Sequence, residues 1–210
     1  MTFLCAFNVI LTQACEVNNA IQRDPKDASG KKLFDVNELE WFCQNSYNLG
    51  LKHADTWDLR HIVTILTCSL NIINHFPEDV PSQVAVDLSL KSIFCNFLIA
   101  CALVALARAQ DNVEQQLQDY LVMRGHISAF DTALQEQLQM LDEVSTKDLL
   151  NKLSMLLVFD FEGAACLKQW EDLGQIVLKA STCKCLETFQ AMGDCLLRAK
   201  PPVQGKSLKT

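Results

Sequence analysis

Cysteine and histidine are the residues of this chain best suited to metal binding or nucleophilic chemistry. The chain has ten cysteines and four histidines. The cysteines are Cys5, Cys15, Cys43, Cys68, Cys95, Cys101, Cys166, Cys183, Cys185 and Cys195. No C-x-x-C pair occurs, so the sequence contains neither a zinc knuckle nor a thioredoxin-like redox motif. Cys183 and Cys185 are the closest pair, but helical side chains two residues apart point about 200° apart and cannot share a metal. We expect reduced structural thiols and no metal or cofactor.

The four histidines do not form a recognisable ligand set either. His53 and His61 flank a predicted turn, but no carboxylate or cysteine completes a metal site at a known ligand spacing. His53 and His75 fall in the last turns of predicted helices, where an imidazolium interacts favourably with the helix dipole. We expect all four histidines, His53, His61, His75 and His126, to be solvent-facing or to lie at helix ends.

Four carboxylates near one another in the sequence could serve as an acid/base pair: Asp160, Glu162, Glu171 and Asp172. General acid–base catalysis needs two carboxyl groups that face one pocket. Side chains two residues apart on a helix diverge, so the sequence predicts a solvated charged face here. No nucleophile elbow, phosphate loop or dinucleotide fingerprint occurs. We therefore expect a protein that is not an enzyme, with no catalytic residue.

Composition limits the remaining classes of function. The 210 residues include 25 acidic and 18 basic ones, giving a net charge of −7, and half are hydrophobic. Such a hydrophobic chain is not intrinsically disordered, and an acidic chain lacks the broad basic face that binds nucleic acid. Short basic clusters at 31–32 and 200–209 have no interleaved aromatic residues, so we expect no direct binding of nucleic acid.

Apolar residues recur every three to four positions along most of the chain, which predicts helices. Seven glycines and five prolines are few for an all-β fold. The predicted helices, with their caps, are 2–23, 36–53, 56–76, 81–110, 111–141, 145–167, 170–180 and 185–199. The predicted N-terminal caps are Asp35 or Asn37, Thr56 and Asp111, and the sixth helix is expected to start at Ser145 or Thr146. Gly125 is expected to bend or split the fifth helix.

The second of these helices shows its buried face most clearly. Its apolar and small residues at helical spacing are Leu39, Phe42, Cys43, Ser46, Leu49 and Gly50. The small side chains of Ser46 and Gly50 predict that a neighbouring helix approaches closely there.

The most apolar segment is Ile93–Ala107. Its 15 residues are fewer than the roughly 20 that a bilayer span needs, and Asn96 interrupts it. The sequence therefore predicts a core helix and no membrane contact. The N-terminal segment Met1–Cys15 is apolar without a basic start, which is typical of a buried helix and not of a signal peptide.

A repeat pattern favours one arrangement of these helices. Residues Trp170, Leu173, Gly174 and Val177 match most of the W-x-x-L-G-x-x-Y opening of a tetratricopeptide helix; an ordinary tryptophan at a helix–helix seam is the alternative. We expect an all-α fold of antiparallel helix pairs, stacked as a tetratricopeptide-like α-solenoid of about eight helices. Residues 1–200 would form one helical-repeat domain, a segment of a longer solenoid, and 201–210 a flexible tail.

A family resemblance covers most of the chain, from about Asp35 to Ala199. The segment ELEWF-x-x-NSYNLG (38–50) resembles the central block of the fungal sporulation-specific Spo-twenty-two (Zip-four) family of meiotic proteins with tetratricopeptide-like repeats. The similarity continues through WDLRH (57–61) and AACLKQWEDL (164–173).

This resemblance implies a non-enzymatic scaffold of the nucleus and the meiotic chromosome. Members of the family support crossover formation, synapsis and chromosome segregation by joining chromosome-axis proteins to crossover proteins. No catalytic residues follow from the resemblance, and it leaves the partner-binding residues unknown. Family members are several times longer, so we expect the chain to self-associate through exposed repeat ends or to be marginally stable.

A function of another class remains open on the residues alone. The helix Ile93–Ala107 could form the wall of a pocket in a small all-helical ligand-binding protein or enzyme. A closed pocket with convergent polar groups would favour that alternative, whereas an open groove would favour a scaffold.

Overall fold

Eight α-helices and one 3-10 turn form the helical structure of the described residues. The computed structural model describes residues 3–30 and 32–199, with side chains at 12–30 and 32–198. The helices are α1 (Phe3–Gln22), α2 (Val36–Lys52), α3 (Leu59–Ile73), α4 (Ser82–Ala109), α5 (Val113–Gln137), α6 (Glu143–Cys166), α7 (Leu173–Cys183) and α8 (Leu186–Ala199). Within these residues the β-type pairing is a single bridge between Lys26 and Lys32. The predicted all-α class is confirmed.

The helices stack in the order of the chain. From α2 to α7, each helix packs against the next one, and α1–α3, α4–α6 and α6–α8 pack as second neighbours. This pattern of contacts is typical of a helical-repeat stack, in which each helix pair covers the apolar face of the pair before it. Both α1 and α2 lie on α3 at one end of the stack.

Helix α4 lies at the centre of the main hydrophobic core. Ile93, Cys95, Ile99, Ala100 and Ala107 are each 0% exposed, and buried residues occur on several faces of the helix. A helix that is apolar all round is covered on several sides, as α4 is by α3, α5 and α6. The prediction that Ile93–Ala107 is a core helix is confirmed.

Length and apolar composition alone would also allow α4 to cross a membrane, and among the described residues it is the one helix of that kind. Its most apolar window is 56% buried inside the fold. The core helix of a soluble protein has the same character, so this property is weak support for a membrane span.

The close approach predicted for α2 is made by Gly50. A Cβ atom at this position would lie 2.5 Å from Cδ2 of Leu66 on α3. Leu39, Cys43, Ser46 and Gly50 are the buried residues of α2, as their spacing predicts. The glycine therefore sets the distance between α2 and α3.

Two predicted helix caps and the predicted start of the sixth helix are wrong by one to three residues. Asp58 caps α3 in place of Thr56, Asn112 caps α5 in place of Asp111, and α6 begins at Glu143 with Asp142 as its cap, in place of a start at Ser145 or Thr146. In each helix the carboxylate or amide oxygen accepts from a backbone N–H of the first turn, which stabilises that start. Asp35 caps α2, one of the two residues expected there.

Two features of the C-terminal half differ from their sequence patterns. Helix α5 runs unbroken through Gly125, so the predicted split is absent from it. Trp170 lies in a separate 3-10 turn before α7, and a Cβ atom at Gly174 would meet open space. The motif glycine is therefore not a close helix contact here. The predicted tail at 201–210 and Lys200 lie outside the described residues.

Candidate functional site

An open apolar groove lies between α1 and α2, with α3 as its floor. Ile65 and Ile72 of α3 form the floor, and the groove has a volume of about 480 Å³. Its described walls are Gln13, Ala14, Glu16 and Val17 on α1, and Trp41, Phe42, Asn45, Ser46 and Leu49 on α2. The groove forms because α1 and α2 both pack on α3 while leaving space between them.

The start of α2 fixes the orientation of the groove wall. The Asp35 carboxylate accepts from the backbone N–H of Glu38 at 2.9 Å, and the Glu38 carboxylate accepts from that of Asp35 at 3.0 Å. This capping box satisfies two backbone donors that the helix would otherwise leave unpaired. With the start fixed, Leu39 and Cys43 face α3, and Phe42 and Leu49 fall on the adjacent groove face.

Trp41 is the most distinctive side chain of the groove. It is 62% exposed and, among the described large apolar residues with high exposure, it is the only aromatic one. Its ring packs edge-on against Phe42 at 5.0 Å between centroids, and its backbone carbonyl accepts from the Asn45 amide at 2.7 Å. An exposed tryptophan beside an apolar groove is typical of an interaction surface.

The groove has the chemistry of a binding surface. Glu16 is the only ionisable residue among the described residues that line it. Ser46 is buried, and no histidine or second carboxylate of the described lining faces it as a base. The arrangement can bury apolar groups against Trp41, Phe42 and Leu49, but its described residues supply no acid/base pair.

Glu162 is the centre of a polar cluster elsewhere in the stack, where α4, α5, α6 and α8 meet. Arg108 donates from Nε at 2.9 Å and from Nη2 at 2.5 Å, and the Tyr120 hydroxyl donates at 2.7 Å. Burial raises the pKa of Glu162, but the hydrogen bonds from Arg108 and Tyr120 outweigh it and hold the pKa below its ordinary value. This carboxylate is held as an anion and is a poor general acid.

The thiols beside Glu162 are equally unsuited to nucleophilic chemistry. Cys166 and Cys195 line a cavity of about 210 Å³ with Glu162 and Arg198. Burial and the nearby carboxylate raise the pKa of both thiols. A reactive cysteine needs a lowered pKa, so this cavity does not activate its thiols.

Asp160 belongs to a second cluster, on a different side of α6. Arg124 donates from Nε to Asp160 at 2.6 Å and from Nη1 to Asp172 at 2.9 Å, and it also binds the Gln169 side chain. Burial raises the pKa of Asp160 despite the Arg124 charge. The cluster borders an open cavity of about 600 Å³.

The predicted solvated face at Asp160 and Glu162 is therefore wrong. Their side chains are only 16% and 14% exposed, because each is buried against an arginine of a neighbouring helix. The predicted divergence is correct, since Asp160 pairs with Arg124 and Glu162 with Arg108. The two carboxylates face different partners and do not form an acid/base pair.

The histidines occupy separate positions. The His53 ring stacks on Trp57 at 4.3 Å between centroids, His75 contacts the backbone carbonyl of Asn71, and His126 donates from Nδ1 to the Asn96 amide oxygen. Half-buried His126 lies inside the stack, contrary to the expected solvent-facing or helix-end position. In the part of the chain that is described, no group of three or more potential ligands could hold a metal ion.

The segment Ile93–Ala107 does not line the groove or either of the cavities of about 210 and 600 Å³ described above. Its side chains pack into the core against α3, α5 and α6 instead.

No protein-family model, curated protein or solved structure matches the chain.

The sequence did not identify the groove as a site. One signal in it pointed to Trp41: the buried stripe of α2 runs through Leu39, Cys43 and Ser46, and Trp41 falls outside that stripe. A large aromatic residue on the polar side of an amphipathic helix is a candidate for a binding contact. The second wall, on α1, could only be found from the packing of α1 on α3.

Proposed function

We propose that this chain is a non-enzymatic protein-interaction scaffold segment that binds a helix of another protein in the groove between α1 and α2. The observation that carries the proposal is the 62% exposed Trp41 at the rim of an apolar groove. Helices dock in such grooves by burying an apolar face, and tryptophan is enriched among the residues that dominate binding energy.

The absence of catalytic function is part of the same proposal. Its support is that the carboxylates best placed for chemistry, Asp160 and Glu162, are bound by arginines. The described cysteines with shifted pKa values are all shifted upward, mainly by burial. These groups serve to join helices.

The biological setting of the proposal rests on the resemblance of residues 38–50 to the meiotic scaffold family. The segment that carries the resemblance includes five lining residues of the groove, namely Trp41, Phe42, Asn45, Ser46 and Leu49. We infer that the chain acts in the nucleus on meiotic chromosomes, in crossover formation and synapsis. Its partners would be chromosome-axis and crossover proteins.

A pull-down from meiotic cells tests this function. The wild-type chain should co-purify chromosome-axis or crossover proteins, and Trp41→Ala should lose them. Leu197→Ala is the matched control, because Leu197 is 79% exposed on α8, far from the groove in the order of the stack. Retention of the same partners by Trp41→Ala, with both variants folded by circular dichroism, would contradict the proposal.

A further inference from the structure

The length of the groove matches a short stretch of partner helix. Its α2 wall extends from Trp41 to Leu49, which is about 12 Å of helix at 1.5 Å per residue. Apolar residues at positions i, i+4 and i+7 of a docked helix span about 10 Å, so three anchors fit this wall. The groove opens to the surface, so a chain can enter it from outside.

The charges around the groove are acidic on both walls. Helix α1 has one charged residue within its bounds, Glu16, which lines the groove. On α2, Glu38 precedes Phe42 by four residues and Asn45 by seven, so it shares their groove face. Lys52, the only basic residue of α2, lies at the opposite end of that helix.

Glu40 is a glutamate of α2 that does not face the groove, so it serves as a control for the charges that do. It lies two residues from both Glu38 and Phe42, which places it on the far side of α2 from the groove. The acidic character therefore comes from Glu16, which lines the groove, and from Glu38 at its edge, whose carboxylate also accepts from the Asp35 backbone N–H. Glu40, on the same helix as Glu38, is available as a control.

We propose that the occupant of the groove is an amphipathic helix of another protein, with lysine or arginine residues on both sides of its apolar stripe. Its apolar anchors contact Trp41, Phe42 and Leu49, and its basic residues face Glu16 and Glu38. Complementary charges of this kind select the partner and its register more than they add affinity. This inference rests on the proposed function and names the chemistry of its partner.

Binding of designed peptides to the full chain tests the inference. The probe is a fluorescein-labelled helical peptide of about 18 residues with leucine at i, i+4, i+7 and i+11 and flanking lysines. A second peptide carries glutamate at every lysine position. We expect the lysine peptide to bind roughly tenfold more tightly than the glutamate peptide, since two rim contacts change sign. Trp41→Ala should weaken the lysine peptide roughly thirtyfold.

Neutral variants measure how much the charges of Glu16 and Glu38 contribute to the preference for the lysine peptide. Glutamine keeps the capping box at Glu38, so Glu16→Gln with Glu38→Gln removes both charges while α2 keeps its start. This double variant should bind the two peptides with affinities within roughly twofold of each other. Glu40→Gln should keep the wild-type preference.

The outcomes separate this inference from the proposed function. Equal binding of both peptides to the wild-type chain, lost in Trp41→Ala, would overturn the basic partner and leave groove docking in place. Binding of neither peptide would overturn the helical occupant, while the pull-down decides separately whether Trp41 binds a cellular partner. A dimer in sedimentation velocity that Trp41→Ala dissociates would also overturn it, because the occupant would then be a second copy of the chain.

Discussion

Arg60 and Asp119 form a two-pronged ion pair between helices α3 and α5. The guanidinium donates from Nη1 to Oδ1 at 2.7 Å and from Nη2 to Oδ2 at 2.6 Å, and the Asp119 side chain is 3% exposed. Gln115 donates to the same carboxylate at 3.2 Å. Since α4 packs against both α3 and α5, the pair joins the two helices on either side of α4.

Breaking this pair should strongly destabilise the stack. Arg60→Ala leaves the buried Asp119 carboxylate without its cation, and we expect the free energy of unfolding to fall by about 3 kcal/mol. The value lies at the low end for buried pairs because the Arg60 side chain is 40% exposed. Urea unfolding measures it. In Asp119→Asn the buried charge is gone, so adding Arg60→Ala to that variant should cost much less; equal costs in both backgrounds would contradict the coupling.

Replacing Gly50 or Gly125 by alanine should change the free energy of unfolding in opposite directions, because only Gly50 lies against a neighbouring helix. Gly50→Ala places a methyl group 2.5 Å from Cδ2 of Leu66, which is 0% exposed and would have to shift within the packed core. The free energy of unfolding should therefore fall by about 1–3 kcal/mol. Gly125→Ala meets no atom within 4 Å inside α5 and should stabilise the chain by up to about 1 kcal/mol. Thermal melting of both variants tests this. A stabilised Gly50→Ala would show that the two helices are farther apart.

Buried thiols should be chemically silent in the folded chain. Burial raises the pKa of Cys95 to about 12, as it does for Cys68 on α3. Relative to an ordinary thiol of pKa 9.0, roughly a thousandfold less thiolate is present near neutral pH. Iodoacetamide should therefore label the half-buried Cys185 before Cys68 and Cys95, which should react only in urea. Mass spectrometry of tryptic peptides reads out the order, and early labelling of Cys95 would contradict its burial.

His126 should make the stability fall at mildly acidic pH. Burial lowers its pKa below the ordinary value of 6.5, so the unfolded chain binds a proton at a pH where the folded chain does not. The stability contributed by the neutral imidazole is therefore complete above about pH 6.5 and is lost as the pH falls toward the lowered pKa.

The test compares wild type with His126→Gln by urea unfolding at about pH 7.5 and about pH 5.5. The wild-type chain should lose more free energy of unfolding between these values than the variant loses. Between about pH 7.5 and 8.5 the imidazole is neutral in both states, so the two proteins should change alike there. An equal loss of the free energy of unfolding in both proteins between about pH 7.5 and about pH 5.5 would show that His126 does not cause the loss of stability.

Much of the fold follows from periodicity in the sequence. The stripe Leu39, Cys43, Ser46 and Gly50 is buried as its spacing requires, and α4 is a core helix as its apolar composition indicates. The predictions of the helix caps were less accurate, because several side chains with an oxygen acceptor lie within a few residues of each helix start. At the start of α3, Asp58 binds the Arg60 backbone N–H while the Thr56 hydroxyl binds the carbonyl of His53.

Long-range pairing was not predictable from local spacing. Nothing near Glu162 in the sequence indicates that Arg108, 54 residues away, buries its carboxylate. The expectation of a solvated face failed for this reason. The groove has the same origin, since its two walls meet only through their common packing on α3. Trp41 could be singled out from the sequence, but its neighbours on α1 could not.

The most direct measurement of the central claim is amide hydrogen exchange on the chain alone and in the complex recovered from meiotic cells. Docking in the groove should slow exchange at 13–17 of α1 and 41–49 of α2, the segments that carry its walls. The exposed face of α8 should exchange alike in both samples. Slowed exchange confined to α6–α8, with no change in α1 and α2, would contradict the groove as the docking surface.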